Sequence, residues 1–150
     1  MSELSGNQSG PPFRLLLVDD EEPILYAMEQ YFRAIGCEVD CARGTEEAEA
    51  FLEESGYSGA IVDLRLTATQ ESEGLGVVSA VRRRNPLAKV VLLTAYGSPE
   101  VEQEARRRGA HSLLQKPASL PDIANVMLGA PESRRGAALA GGTPDTDSIP

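Results

Sequence analysis

Four apolar runs end on polar residues of different kinds: residues 15–18 on Asp19 and Asp20, residues 60–62 on Asp63, residues 90–93 on Thr94, and residues 113–114 on Gln115, Lys116 and Pro117. Neighbouring carboxylates repel each other unless a positive charge compensates them. An all-oxygen cluster of Asp19, Asp20 and Asp63 suits a hard divalent cation such as Mg²⁺. Such a cation can bridge a carboxylate and an incoming phosphoryl group that otherwise repel one another. Thr94 offers a hydroxyl to one phosphoryl oxygen and Lys116 a compact positive charge to another. Asp63 is then the candidate nucleophile, forming an acyl phosphate. Taken singly each residue has a plainer reading: Asp19 or Asp20 as a helix N-cap, Asp63 as the start of a loop, Thr94 as an ordinary strand end. Their conjunction, in order and spacing, carries the chemistry. Lys116 is one of only two lysines among fourteen basic residues, so its place between a strand end and Pro117 adds weight. X–Pro bonds are where cis peptides occur, which makes Lys116–Pro117 a candidate cis bond aiming the ammonium into a crevice.

These residues converge only if the runs are parallel strands, because in open α/β sheets the functional crevice lies outside the carboxyl ends of the strands. The chain between residues 13 and 129 alternates strand-like with helix-like segments, the pattern of βα repeats around a parallel sheet. The run 13–18 leads to a helix with Pro23 in its first turn and Ile24, Leu25, Met28, Phe32 and Ile35 at helical spacing, closed by Gly36. A short strand, 37–42, precedes a helix with Thr45 as its expected N-cap, Glu46 and Glu47 in its first turn, and Ala48, Phe51 and Leu52 facing inward. The unalternating run 60–62 reads as a strand covered on both faces and is followed by a polar loop. A third helix carries Leu75, Val78 and Val81 and ends at Asn85-Pro86; strand 89–93 and a helix opened by Ser98-Pro99-Glu100 follow. Strand 112–115 and a short helix with Leu120, Ile123, Val126 and Met127 complete five strands and five helices. Each arginine triplet, 82–84 and 106–108, sits where it complements the negative end of a helix dipole. The Ser/Gly/Pro-rich segments 1–12 and 130–150 read as disordered tails.

Composition narrows the function classes. A chain of 150 residues suits one domain with a real core. Its net charge of −9 disfavours nucleic-acid binding by this chain alone, since that affinity comes mainly from neutralising phosphates with cationic side chains. The sequence has no apolar stretch of bilayer length and no secretory signal pattern at its start, which predicts a cytoplasmic protein with no membrane partner. Cys37 and Cys41 on one extended strand would stand roughly 13 Å apart, beyond disulfide reach, and read as two small buried thiols. His111, the one histidine, reads as a loop or strand-edge residue rather than a metal ligand.

The segments VDDEEP, IVDLR, LLTAYG and LQKP, spread over residues 13–129, resemble the receiver domain of bacterial two-component response regulators. The resemblance implies a flavodoxin-like, doubly wound five-stranded parallel sheet in the order 2-1-3-4-5 with five helices. It implies a phosphorelay in which a sensor histidine kinase or histidine phosphotransfer protein donates a phosphoryl group to Asp63, with Mg²⁺ present. Asp20, Asp63 and the backbone carbonyl of Arg65 would ligate the metal directly and Asp19 through water, while Thr94 and Lys116 would contact the phosphoryl group. Such a domain signals to a downstream protein and is no enzyme beyond its own phosphotransfer and dephosphorylation. In this family the face made by the fourth helix, fifth strand and fifth helix often serves partner contacts or homodimerisation. Three departures stand out. Leu113 occupies the place where the family commonly has a switch aromatic; residues 67–73 lengthen and acidify the loop after Asp63; and Arg65 and Tyr96 hold positions that tune water attack on the acyl phosphate, where their bulk would slow hydrolysis. Competing readings fit less well. A haloacid-dehalogenase-type phosphatase would carry its nucleophile in a D-x-D pattern after the first strand, and a flavin module would not place DDEEP in its phosphate loop. The chain is expected to be a single-domain regulator, the alternative being a receiver cut from a larger regulator or hybrid kinase.

Overall fold

The computed structural model describes residues 12–64, 68–95 and 98–129, with the side chains of residues 64 and 68–72 outside that description. The Arg65 carbonyl, Tyr96 and nearly all of both expected tails therefore lie outside the described residues. In chain order the elements are β1 (Arg14–Val18), α1 (Glu22–Ala34), β2 (Glu38–Ala42), α2 (Thr45–Glu54), β3 (Gly59–Leu64), α3 (Ala68–Arg84), β4 (Lys89–Thr94), α4 (Pro99–Arg108), β5 (Ser112–Gln115) and α5 (Leu120–Leu128). The strands form one sheet, all parallel, in the order β2-β1-β3-β4-β5. The parallel sheet is what the alternating pattern predicts, and its order is the flavodoxin-like one that the resemblance implies.

The inner strands are apolar without alternation because both of their faces are covered. Leu16, Val18, Ala60, Val62, Val90 and Leu92 belong to one cluster with Ala48 and Leu52 of α2, Leu75, Val78 and Val81 of α3, and Ala105 of α4. The intervening residues Leu15, Leu17, Ile61, Val91 and Leu93 are equally buried and point to the opposite face by strand alternation. From α1, which packs against β1 and β2, Leu25, Met28 and Phe32 are buried, while Ile24 and Ile35 remain exposed despite their helical spacing. The chain parts after Ala118 into a second compact unit that holds α5. Ser119 caps that helix, its Oγ accepting from the Asp122 N–H at 3.1 Å, and Ile123, Ala124 and Met127 are its buried residues.

Three local expectations change. Helix α3 begins at Ala68, so most of the segment expected to be a polar loop before Gly74 is helical. Ala68, Gln70, Glu71 and Glu73 are good helix formers, and acidic residues favour a helix amino end. Thr45 is the first helical residue rather than the cap; Gly44 occupies the cap position, and the Glu47 side chain reaches back to accept from the Arg43 N–H at 2.8 Å. Both cysteines are free, but only Cys37 is buried; Cys41 is half-buried, and burial together with Glu29 pushes its thiol up to about 11, which keeps it protonated and unreactive near neutrality.

Candidate functional site

Register delivers the polar residues to one edge. Val18 pairs with Ala42 on one side and Val62 on the other, so Asp19, Arg43 and Asp63 are the next residues out of three adjacent strands. On the far side of β3, Leu64 pairs with Thr94, which pairs with Gln115, and the Lys116 N–H donates to the Thr94 carbonyl at 2.7 Å. The carboxyl ends of β1, β3, β4 and β5 thus present Asp19, Asp63, Thr94 and Lys116 in a row.

Asp19, Asp63 and Thr94 are buried, and Asp20 is exposed. Each of Asp19, Asp20 and Asp63 offers a carboxylate oxygen, and these oxygens lie within 4.8 Å of one another. Asp19 Oδ1 also accepts from the Glu21 N–H at 2.9 Å, which fixes the turn into α1. Lys116 reaches the cluster from the other side: its Nζ stands 2.5 Å from Asp63 Oδ1, the ammonium 30% exposed and the carboxylate 2%. The Lys116–Pro117 peptide is cis. Leu113 pairs with Leu92 in the sheet and is half-buried against the core, an aliphatic side chain at the expected switch position.

The acidic residues line a cleft of about 90 Å³ together with Val18, Arg43, Gly44, Thr45, Val62, Glu73, Gly74 and Val77. Arg43 and Glu73 are charged lining residues beyond those that close the four apolar runs. Arg43 had a signal of its own, since it follows its strand by the same offset as Asp19 follows β1. Its guanidinium bonds to Glu22 at 2.6 Å and to Glu47 at 3.3 Å, and its backbone and guanidinium N–H groups hold the Glu47 carboxyl below its usual range. Three carboxylates converging on one cleft form a hard oxygen donor set with room for waters, which fits a small divalent cation such as Mg²⁺.

Fold and cleft together define a flavodoxin-like α/β protein with an acidic, cation-suited edge. Comparison with known proteins then supplies the family: the model of the response regulator receiver domain matches residues 15–127, and the chain belongs to that family. It is 34% identical over 128 residues to the photosynthetic apparatus regulatory protein RegA of Rhodobacter capsulatus, covering 85% of this chain and 68% of that one. It is 32% identical over 125 residues to the acid tolerance regulatory protein ActR of Rhizobium meliloti, covering 83% and 63%. The chain therefore spans about two thirds of the length of these curated relatives. Among solved structures, a CheY-like receiver domain from Methanospirillum hungatei superposes with a TM-score of 0.69 at 27% identity, covering 77% of this chain and 90% of that one. A Burkholderia pseudomallei response regulator crystallised with a phosphorylated aspartic acid, calcium and citrate has the same fold, with a TM-score of 0.70 at 24% identity over 83% of this chain and 72% of that one. Receiver domains are signalling modules of two-component systems, and they bind Mg²⁺ at such an acidic pocket. Among the described residues no helix is long and apolar enough to cross a membrane.

Proposed function

We propose that the receiver unit, residues 13–129, works in the cytoplasm, accepts a phosphoryl group on Asp63 from a sensor histidine kinase or histidine phosphotransfer protein, and passes the signal to a downstream protein. The observation that carries this reading is the convergence of the Asp19, Asp20 and Asp63 carboxylates with the Lys116 ammonium on Asp63. A structural aspartate needs one partner; this one has a cation on one side and two further carboxylates on the other.

In the proposed reaction an Asp63 carboxylate oxygen attacks the phosphorus of a phosphohistidine. The O–P bond forms as the P–N bond breaks, and the imidazole leaves with the electron pair and takes up a proton. Asp19, Asp20 and Asp63, with the Arg65 carbonyl, would hold Mg²⁺, whose charge when bound offsets the repulsion between carboxylate and phosphoryl oxygens. Lys116, already at Asp63, moves its charge onto a phosphoryl oxygen, and the Thr94 hydroxyl donates to another. Water later cleaves the acyl phosphate to the carboxylate and inorganic phosphate, and Arg65 and Tyr96 are proposed to slow that attack. Leu113 makes the readout at β5 aliphatic, without the swing of an aromatic ring.

The test is incubation with acetyl phosphate and Mg²⁺ followed by intact mass. The expected result is one phosphoryl adduct on the wild-type chain, abolished by EDTA and absent in Asp63→Asn. An adduct of equal yield in Asp63→Asn, or no adduct in the wild type under any condition, overturns the assignment.

A further inference from the structure

Arg43 brings a cation to a cleft whose other charged lining residues are all carboxylates. The Ala42 carbonyl accepts the Asp19 N–H at 3.1 Å, so Asp19 and Arg43 leave neighbouring strands side by side, and both line the cleft. The other described cations are placed elsewhere. Arg14 and Lys89 open strands, and Arg33 and the two arginine triplets close helices, all at the opposite edge of the sheet, while Lys116 is engaged by Asp63. The guanidinium is clamped from two elements, by Glu22 at the start of α1 and by Glu47 in the first turn of α2. Both ion pairs are at the surface, with Arg43 55% exposed, so each is readily exchanged for another anion. A planar guanidinium is suited to that exchange because its forked N–H groups match phosphoryl oxygens.

We propose that Arg43 is a specificity-determining residue of this cleft: it draws an anionic phosphodonor past the carboxylate rim and, by the same charge, holds down cation affinity at Asp19, Asp20 and Asp63. The proposal rests on the phosphoacceptor reading of Asp63 for its first half and on charge alone for its second. Glu22 and Glu47 set how much of the arginine's charge is available. Donors of higher charge depend on Arg43 more than donors of lower charge, so acetyl phosphate, a dianion near neutrality, is favoured over phosphoramidate, a monoanion there.

The test follows phosphoryl uptake by intact mass against donor concentration and, separately, titrates Mg²⁺ into unphosphorylated protein by calorimetry. Arg43→Gln is expected to raise the half-saturating acetyl phosphate concentration about three- to tenfold with a smaller effect for phosphoramidate, the maximal rate staying within about twofold, and to tighten Mg²⁺ about two- to fourfold. Arg43→Lys keeps most of the wild-type behaviour, and both effects shrink as salt rises from about 50 to about 500 mM. The double variant Glu22→Gln, Glu47→Gln frees the guanidinium and shifts both readouts the opposite way. Arg43→Gln indistinguishable from wild type in both readouts, or the double variant shifting in the same direction as Arg43→Gln, overturns the proposal. If the wild type forms no adduct, the phosphoacceptor reading fails by itself, and the Mg²⁺ titration still decides the charge effect of Arg43.

Discussion

The two edges of this sheet spend their charges differently. At the amino-terminal edge Arg14, Asp40 and Arg82 are matched by a partner or turned onto backbone. The Tyr57 hydroxyl donates to Asp40 Oδ2 at 2.6 Å, the Arg14 guanidinium holds the same oxygen at 3.1 Å, and Asn85 Oδ1 accepts the Tyr57 N–H at 2.9 Å. The Arg82 guanidinium donates to the carbonyls of Pro86, Ala88 and Gly109, closing the ends of α3 and α4 against the starts of β4 and β5. At the carboxyl edge three carboxylates crowd together instead, and the cations beside them, Lys116 and Arg43, are partly exposed. Like charges held close by a rigid frame repel one another and favour whatever neutralises them, which is how ligand sites differ from structural polar networks. Changes at the amino-terminal edge should therefore be read in stability, and changes at the carboxyl edge in ligand binding.

The largest break in that division is expected at Gly109. Its φ is +115°, a conformation L side chains rarely adopt, and a Cβ there would lie 2.7 Å from Arg82 Nε and 3.1 Å from its Cγ. Gly109→Ala adds backbone strain to a clash that displaces Arg82 from the carbonyls it satisfies, a combined loss of about 2–4 kcal/mol. Urea denaturation should show that loss as a lower midpoint at unchanged slope, while Mg²⁺ affinity of the folded protein stays within about twofold of wild type. A large drop in Mg²⁺ affinity with stability unchanged would mean that the two edges are not separable.

What was legible in the sequence follows the same division. The site residues could be read because each ends an apolar run, and a run covered on both faces announces its strand and, with it, the edge where it stops. The βα alternation announced a parallel sheet, and its strand order followed only from the resemblance that the motifs carry. Arg43 and Arg82 were harder because their roles depend on contacts across elements. Arg43 matters through the pairing of β2 with β1, and Arg82 through Gly109, 27 residues away. The start of α3 was misplaced because Gln and Glu are at once polar enough for a loop and good helix formers, a choice that local composition leaves open. Thr45 failed as a cap because Gly44 has the extended backbone of the cap position and the Glu47 side chain supplies the reaching carboxylate.

A smaller effect sharpens the carboxyl-edge half of the comparison. A cation that binds only the folded protein stabilises it by about 1.4 kcal/mol at ten times its dissociation constant. Wild-type protein at low salt should show that increment in its denaturation midpoint when Mg²⁺ is added. Asp20→Asn, at the exposed member of the cluster, should lose the increment and be slightly more stable than wild type without metal, because one of three repelling charges is gone. A metal increment equal to that of wild type in Asp20→Asn would remove Asp20 from the cation site.

The smallest effect belongs to His111, at the amino-terminal edge. Its Nδ1 accepts the Val90 N–H at 3.1 Å, which requires a neutral ring, and Arg82 NH2 lies 3.3 Å from the same nitrogen. Burial, then the charges of Arg82 and Lys89, lower its pKa from the usual 6.5, and Arg106 approaches from α4 to the His111 carbonyl. Below pH 6.5 the unfolded chain takes up a proton that the folded chain resists, so the unfolded state binds more protons and stability rises with pH. The contribution is complete above the unfolded pKa and is lost as pH falls through the lowered folded value. Because the ring is exposed to solvent, the loss between about pH 7.5 and about pH 5.5 should be a few tenths of a kcal/mol at most. His111→Gln should flatten the difference in thermal midpoint across that interval, while the same variant leaves Mg²⁺ binding at the far edge unchanged. If the pH slope persists in His111→Gln, the proton-sensitive group lies elsewhere, and the amino-terminal edge is electrostatically quiet even at its only histidine.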